Sequence, residues 1–145
     1  MKLDNSRVRE LLFQREPFLW VDEVTDCEAG KFAVSVKYMD PDFPMFKGFC
    51  PGSPQVPQVI LIEAMSQTAG VATGLFYENR VPKAGIRLFA GIERARFFKS
   101  VPAGVTVTFK SRLKDPAARF IYADCEAYAC GETVAEAVVS FAFKK

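Results

Sequence analysis

Residues Val56 to Tyr77 read VPQVILIEAMSQTAGVATGLFY, a run with apolar side chains on nearly every side of a helical projection. Pro57 suits the first turn of a helix, because an N–H at that position would have no intrahelical partner. A helix that is apolar nearly all round is buried on most of its faces. We therefore expect a central helix covered by the rest of the chain, with Glu63 as its lone carboxylate.

The segments on either side of this run predict a short helix and a set of strands. Strand assignments rest on runs in which apolar residues alternate with polar or small ones, and Gly131 is expected to turn the last two strands into a hairpin. The helix is predicted over Asn5–Leu12 with Asn5 or Ser6 as N-cap, and the strands over Phe18–Glu28, Phe32–Tyr38 and residues 86–98, 105–113, 119–130 and 133–143.

The segment from residue 39 to residue 57 is rich in proline and glycine. Proline fixes its own φ and restricts the residue before it, so we expect a stiff, irregular loop here. This loop delivers residues 46–54 just ahead of the central helix. Unpaired backbone N–H groups at a helix N-terminus stabilise a developing oxyanion, so the loop is a candidate part of the site.

The order of the elements predicts the fold. A short helix, two strands, one buried helix and four strands are most simply arranged as a sheet that wraps the helix, because the helix needs cover on most sides. The expectation is a single α+β domain over residues 1–145 with the hot-dog fold, in which an antiparallel sheet of about six strands wraps around one long central helix.

Composition narrows the class of function. A net charge of +2 with scattered basic residues does not indicate nucleic-acid binding. The four cysteines form no CxxC pair and the chain has no histidine, so no metal site is expected and acid–base chemistry must come from other groups. The charged start and the polar residues within the apolar run favour a cytoplasmic protein with no membrane span.

Glu63 demands an explanation because burying an unpaired charge is costly. It is either a structural residue paired with Gln67 or an arginine, or a carboxyl whose pKa burial raises so that it can act as an acid or base. The residue types alone leave both interpretations open.

Four stretches resemble one known family. Residues Phe46 to Gln67 read FKGFCPGSPQVPQVILIEAMSQ, similar to the pattern F-x-G-H-F-P-G-x-P-V-x-P-G-V-L-I-I-E-A-M-A-Q of the bacterial 3-hydroxyacyl-acyl-carrier-protein dehydratases of the FabZ type. Arg15–Val24 (REPFLWVDEV) resembles its R-Y-P-F-L-L-V-D-R-V, Phe89–Phe97 (FAGIERARF) its F-A-G-I-D-K-A-R-F, and Gly131–Ala137 (GETVAEA) its G-K-V-V-A-E-A.

The resemblance implies an activity and shows where this chain departs from it. The family removes water from a 3-hydroxyacyl thioester on phosphopantetheine, without another cofactor, using a loop histidine and a helix glutamate from opposite subunits of a dimer. Glu63 falls on that glutamate, but Phe49 falls on the histidine and cannot transfer a proton. Gln58 replaces the glycine that opens the helix, and Gln14 replaces a histidine common before the R-Y-P-F run.

Further site residues are implied by the same resemblance. The residues expected to bind the oxyanion or substrate are Gly48, Gln58, Val59 and Gln67. Those expected to line an acyl tunnel are Phe46, Cys50, Met65 and Phe89. Those expected to form a docking surface for the carrier are Arg94, Arg96 and Lys99.

These residues leave four hypotheses. The chain is a dehydratase or hydratase that works with Glu63 alone, a thioesterase that uses Glu63, a non-catalytic or partner subunit that lends Glu63 to a histidine-bearing homologue, or a relic without a site. Its expected partners are acyl carrier protein or acyl-CoA and a second subunit, in a homodimer, a higher homo-oligomer or a heterodimer, in fatty-acid or related polyketide-like biosynthesis.

Overall fold

The computed structural model describes residues 1–80 and 86–144. The helices are α1 (Asn5–Leu11), α2 (Pro44–Phe49) and α3 (Gln58–Tyr77). The strands are β1 (Glu23–Glu28), β2 (Phe32–Tyr38), β3 (Gln55–Val56), β4 (Ile86–Phe97), β5 (Val101–Pro102), β6 (Thr106–Leu113), β7 (Phe120–Ala129) and β8 (Glu132–Lys144).

Six of these strands form one antiparallel sheet that packs around α3. Their order is β1-β2-β6-β7-β8-β4, so β1 and β4 are its edges within the described residues. Helix α3 contacts β6 most, and β2 and β7 next. The predicted α+β hot-dog fold, with about six antiparallel strands around one long helix, is confirmed.

The inner face of the sheet carries small side chains where α3 lies against it. On β2, Ala33 and Ser35 are fully buried, whereas the larger residues that alternate with them face outward. Two hydrogen bonds join sheet to helix: the hydroxyls of Ser35 and Thr68 lie 2.7 Å apart, and Ser111 donates to the Met65 carbonyl at 2.8 Å. Small groups on the sheet let the helix approach closely, and its bulkier side chains then fill the core.

The predicted strand over Phe18–Glu28 is wrong in its first half. Strand β1 begins only at Glu23, and the Glu16–Pro17 peptide bond is cis. Leu19, Trp20 and Val21 are buried ahead of β1 instead of forming its first half, and the backbone N–H of Trp20 donates to the Gln67 side chain of α3 at 2.7 Å. An apolar run in sequence does not distinguish these two forms of burial.

The predicted loop at residues 39–57 holds more regular structure than expected. It contains α2 and β3, because Pro44 has the φ that a first helical turn needs and Val56 pairs with Val101 of β5. Pro57 is the N-cap residue of α3 rather than a residue of its first turn, because the helix begins at Gln58.

The two ends of the chain show one correction and one confirmation. Helix α1 is capped by Asp4, which accepts from the Arg7 N–H at 2.9 Å, rather than by Asn5 or Ser6. The predicted hairpin at Gly131 is confirmed, and Cys130 and Gly131 have φ values of 53° and 76°. Positive φ at both central residues is typical of a type I′ turn.

Helix α3 is long and apolar enough to cross a membrane by length and composition alone, with a mean hydropathy of 1.4. In the fold, 67% of that apolar window is buried, as expected of the core helix of a globular domain.

Candidate active site

The carboxyl of Glu63 is half-buried on the second turn of α3. Removal from water raises its pKa above the ordinary value, and a hydrogen bond from Gln67 acts in the opposite direction. The Gln67 amide nitrogen donates to Glu63 Oε1 at 3.0 Å. The pairing with Gln67 and the raised pKa therefore occur together at Glu63 and do not exclude each other.

Gln67 is held by the backbone of the segment ahead of β1, and it in turn orients Glu63. Its side-chain oxygen accepts from the backbone N–H of Trp20, and its nitrogen donates to the Phe18 carbonyl at 2.8 Å as well as to Glu63. Gln67 is only 2% exposed, so these bonds are shielded from water. A residue one helical turn from the carboxylate thus determines the rotamer in which Glu63 is presented.

Glu63 opens on a cavity of about 320 Å³, near the lower end of the ~300–1,000 Å³ usual for small-molecule sites. The lining residues are Leu12, Phe13, Gln14, Glu63, Ser66, Gln67, Gly70, Leu88, Phe89 and Phe141. Among these described residues Glu63 is the one titratable side chain. The arrangement can move a proton at one carboxyl inside a largely apolar enclosure.

The cavity brings together Glu63, Gln67 and Phe89 of the residues expected at the site. Phe89 packs its ring against Phe141, with centroids 5.8 Å apart. Two further residues expected at the acyl tunnel, Phe46 on α2 and Met65 on α3, have no exposed surface and lie in the core. Phe46 stacks there on Trp20 at 6.0 Å between ring centroids.

The remaining loop and helix-end candidates do not line the cavity of this chain. Phe49 ends α2 with 53% of its surface exposed, and Val59 is 68% exposed. Gly48 is exposed, with nothing within 4 Å of where a Cβ would stand, and Gln58 and Cys50 are half-buried. None of these five candidates lines the cavity, and Gly48, Phe49 and Val59 are exposed.

The basic residues expected at the docking surface are exposed. Lys99 pairs with Glu132 at 2.6 Å, and Arg96 lies 4.0 Å from Glu136, while no described carboxylate pairs with Arg94. Exposed pairs of this kind stabilise a protein little and leave the basic groups available to a partner.

Sequence reasoning missed several lining residues. Ser66 could have been found, because it follows Glu63 by three positions and so shares its face of the helix. Leu88 and Phe141 depend on the register between β4 and β8, which no local pattern gives. No group of three or more Cys, Asp or Glu in the described residues could hold a metal ion.

A buried helix wrapped by a six-stranded antiparallel sheet, with a carboxyl opening on a mostly apolar cavity, defines a hot-dog protein with a candidate acyl-binding site. A family model described as a FabA-like domain matches residues 12–138. The chain therefore belongs to this family, and the curated relatives that match it over nearly its whole length carry the name FabZ.

Curated relatives match nearly the whole chain. It is 36% identical over 143 residues to the 3-hydroxyacyl-(acyl-carrier-protein) dehydratase FabZ of Ruminiclostridium cellulolyticum, covering 99% of each chain. It is 34% identical over 140 residues to the FabZ of Clostridioides difficile, covering 97% of this chain and 96% of that one.

A solved structure supports the fold. The dehydratase heterocomplex ApeI:P from Xenorhabdus doucetiae is similar with a TM-score of 0.78 over 95% of this chain and 91% of that chain, at 16% identity.

Proposed function

We propose that this protein interconverts 3-hydroxyacyl thioesters and trans-2-enoyl thioesters, with Glu63 as its only acid–base residue. The acyl group is carried on the phosphopantetheine of acyl carrier protein or coenzyme A, and no further cofactor is needed. The setting is a cytoplasmic fatty-acid or related polyketide-like pathway. The observation that carries the proposal is the Glu63 carboxyl, half-buried at a cavity and held by Gln67.

One carboxyl can perform both proton transfers of the reaction. In dehydration the Glu63 carboxylate takes the α-proton, and the neutral carboxyl then gives that proton to the 3-hydroxyl. The C–O bond breaks as the double bond forms, and the hydroxyl leaves as water. A raised pKa favours this exchange, because an acid–base group is most efficient when its pKa lies near the working pH.

The phenyl ring of Phe49 makes the proposed reaction slow. A positioned acid or base contributes about 100- to 10,000-fold, so we expect a rate lower by that factor than a histidine-bearing site would give. The wild type and Glu63→Gln should be compared in a hydration assay with crotonyl-CoA and octenoyl-CoA. Turnover that Glu63→Gln abolishes supports the proposal, and no turnover by the wild type contradicts it.

The same samples test thioester hydrolysis through the release of free CoA from saturated acyl-CoAs. Release of CoA that depends on Glu63, without hydration of enoyl-CoA, would assign the protein as a thioesterase instead.

The protein is also proposed to act as a dimer, since β4 lies at an edge of the sheet within the described residues and carries exposed apolar side chains. Leu88, Phe89, Ile92 and Phe97 are between 38% and 51% exposed. A long apolar edge strand readily pairs with another chain. A homodimer or higher homo-oligomer is the expected assembly.

A heterodimer with a histidine-bearing homologue is the second candidate, because Phe49 cannot supply the family's other catalytic group. We expect such a complex to work with one complete site. The test mixes this chain with a FabZ homologue whose own glutamate is replaced by glutamine. Dehydratase activity that returns with wild-type chain but not with Glu63→Gln supports lending of Glu63. A mixture that stays inactive and sediments as separate species contradicts it.

A further inference from the structure

Two polar side chains in the cavity form no hydrogen bond with the described residues. Gln67 uses both atoms of its amide, and Glu63 accepts one of the resulting bonds. Ser66 and Gln14 also line the cavity, and no described residue forms a hydrogen bond with either side chain.

Ser66 differs from the hydroxyl-bearing threonines further along the same helix. Thr68 and Thr73 each donate to the carbonyl four residues earlier, at 2.7 and 2.9 Å. That bond is the usual partner for a buried helical hydroxyl. Ser66 is 5% exposed yet makes no such bond, although it stands one turn from Glu63 on the cavity side of α3. The family pattern quoted above has alanine at this position.

Gln14 lines the same cavity from a different part of the chain, the segment that follows α1. Its side-chain oxygen is buried and has no hydrogen-bond partner in the part of the chain that the structure describes. A buried polar atom without a partner is unfavourable, and the amide torsion of glutamine is broad, so the amide can turn toward a ligand at little cost. The Gln14 amide is therefore available to a polar group that enters beside Glu63.

We propose that Gln14 and Ser66 bind the 3-hydroxyl group of the substrate and make the cavity selective for hydroxyacyl over saturated acyl chains. A hydroxyl both donates and accepts, which suits an amide and a serine side chain together. Held between them, its oxygen lies beside the carboxyl of Glu63 that must protonate it. A saturated chain leaves both polar groups unpaired. This inference rests on the proposed function and specifies the substrate group that the site recognises.

The experiment measures binding in a Glu63→Gln background, so that the ligand is not converted. Isothermal titration with 3-hydroxyoctanoyl-CoA and octanoyl-CoA gives the ratio of the two affinities. We expect the hydroxyacyl compound to bind about 5- to 30-fold more tightly, as one or two buried hydrogen bonds predict. Adding Ser66→Ala or Gln14→Leu should reduce that ratio about 3- to 10-fold and leave the affinity for octanoyl-CoA within about twofold.

The control is Ser100→Ala, an exposed serine outside the cavity, which should not change the ratio. Ser66→Ala introduces the alanine that the family pattern has at this position, so we expect this variant to fold. It therefore tests the inference even if Gln14→Leu does not fold. A ratio unchanged in both variants, or an equal loss of affinity for both ligands, overturns the inference and leaves the proposed function intact. If neither CoA compound binds the background protein and the wild type does not hydrate enoyl-CoA, the proposed function fails and the inference fails with it.

Discussion

Glu63 has two properties that belong to the residue and its contacts alone. Its carboxyl is removed from water by the cavity wall, and its one hydrogen bond from the described residues comes from Gln67. The first property raises the pKa and the second orients the group. Together they give a carboxyl that holds its proton more firmly than in water and still lines the cavity.

The raised pKa of Glu63 predicts a pH dependence of stability. Folding raises this pKa, so the folded state retains the proton at higher pH than the unfolded chain does. The stability contributed by the neutral carboxyl is fully present below the unfolded value near 4.5 and is lost as pH rises through the folded pKa. Glu63→Gln should therefore unfold at higher urea than wild type at neutral pH, and the difference should vanish near roughly pH 4.

The control for this series is Glu23→Gln, because Glu23 is an exposed carboxylate on β1. Its urea midpoint at each pH gives the effect of removing an exposed carboxylate, with which the Glu63→Gln result is compared. If the urea midpoint of Glu63→Gln exceeds that of the wild type by the same amount at pH 4 and pH 7, the raised pKa of Glu63 is contradicted.

Phe49 is the residue at which a substitution is expected to raise the catalytic rate. Restoring the acid–base group with Phe49→His should raise enoyl-CoA hydration by about 100- to 10,000-fold, the usual contribution of a positioned histidine. Phe98→His is the matched control, since Phe98 is 51% exposed against 53% for Phe49. If both variants stay at the wild-type rate, then Gln58 or the path of the α2 segment keeps the histidine from the substrate.

At the scale of the secondary-structure elements, the turn between β1 and β2 packs closely against α3. Gly30 has a φ of +74°, and its N–H donates to the Ala72 carbonyl at 2.9 Å. A Cβ added at Gly30 would lie 2.6 Å from the Phe76 ring and 3.2 Å from Pro116 on another side. The turn therefore requires glycine for its backbone conformation and for the contact with the helix.

Three glycine substitutions separate these two requirements. Gly48→Ala should leave the free energy of unfolding within about 0.5 kcal/mol, because neither a positive φ nor a close contact is present. Gly131→Ala, with φ +76° and open space, should cost about 1–2 kcal/mol. Gly30→Ala combines both effects and should cost about 2–4 kcal/mol.

Urea unfolding of the three variants gives the order directly. Equal losses for Gly30→Ala and Gly131→Ala would mean that the Phe76 ring moves aside and the contact with α3 contributes nothing.

The proposed dimer is a property of the whole molecule, in which β4 lies at one edge of the sheet. Ile92 is 51% exposed on this strand, and an arginine there would place a charge in an apolar interface. Ile92→Arg should shift the sedimenting mass toward the monomer. Tyr38→Arg, on β2 near the other edge, should leave it unchanged. Wild-type protein that sediments as a monomer at micromolar concentration would contradict the dimer.

Local patterns predicted the elements well and their contacts less well. The helix of Gln58–Tyr77 and the hairpin at Gly131 follow from apolar composition and turn chemistry, which act over a few residues. The segment before β1 was assigned wrongly because its apolar residues pack on α3. Burial against a helix and pairing in a sheet demand the same kind of side chain.

The sequence by itself determined the α+β class, the buried helix and the position of Glu63 on it, since helix and strand periods and motif spacing are local. It also determined the loss of the family histidine at Phe49. Only the tertiary structure decided which side chains meet Glu63 across the cavity. Gln14 comes from the segment after α1 and Phe141 from the last strand. Their meeting depends on how α3 packs and on the register of the whole sheet, and no short stretch of sequence contains that information.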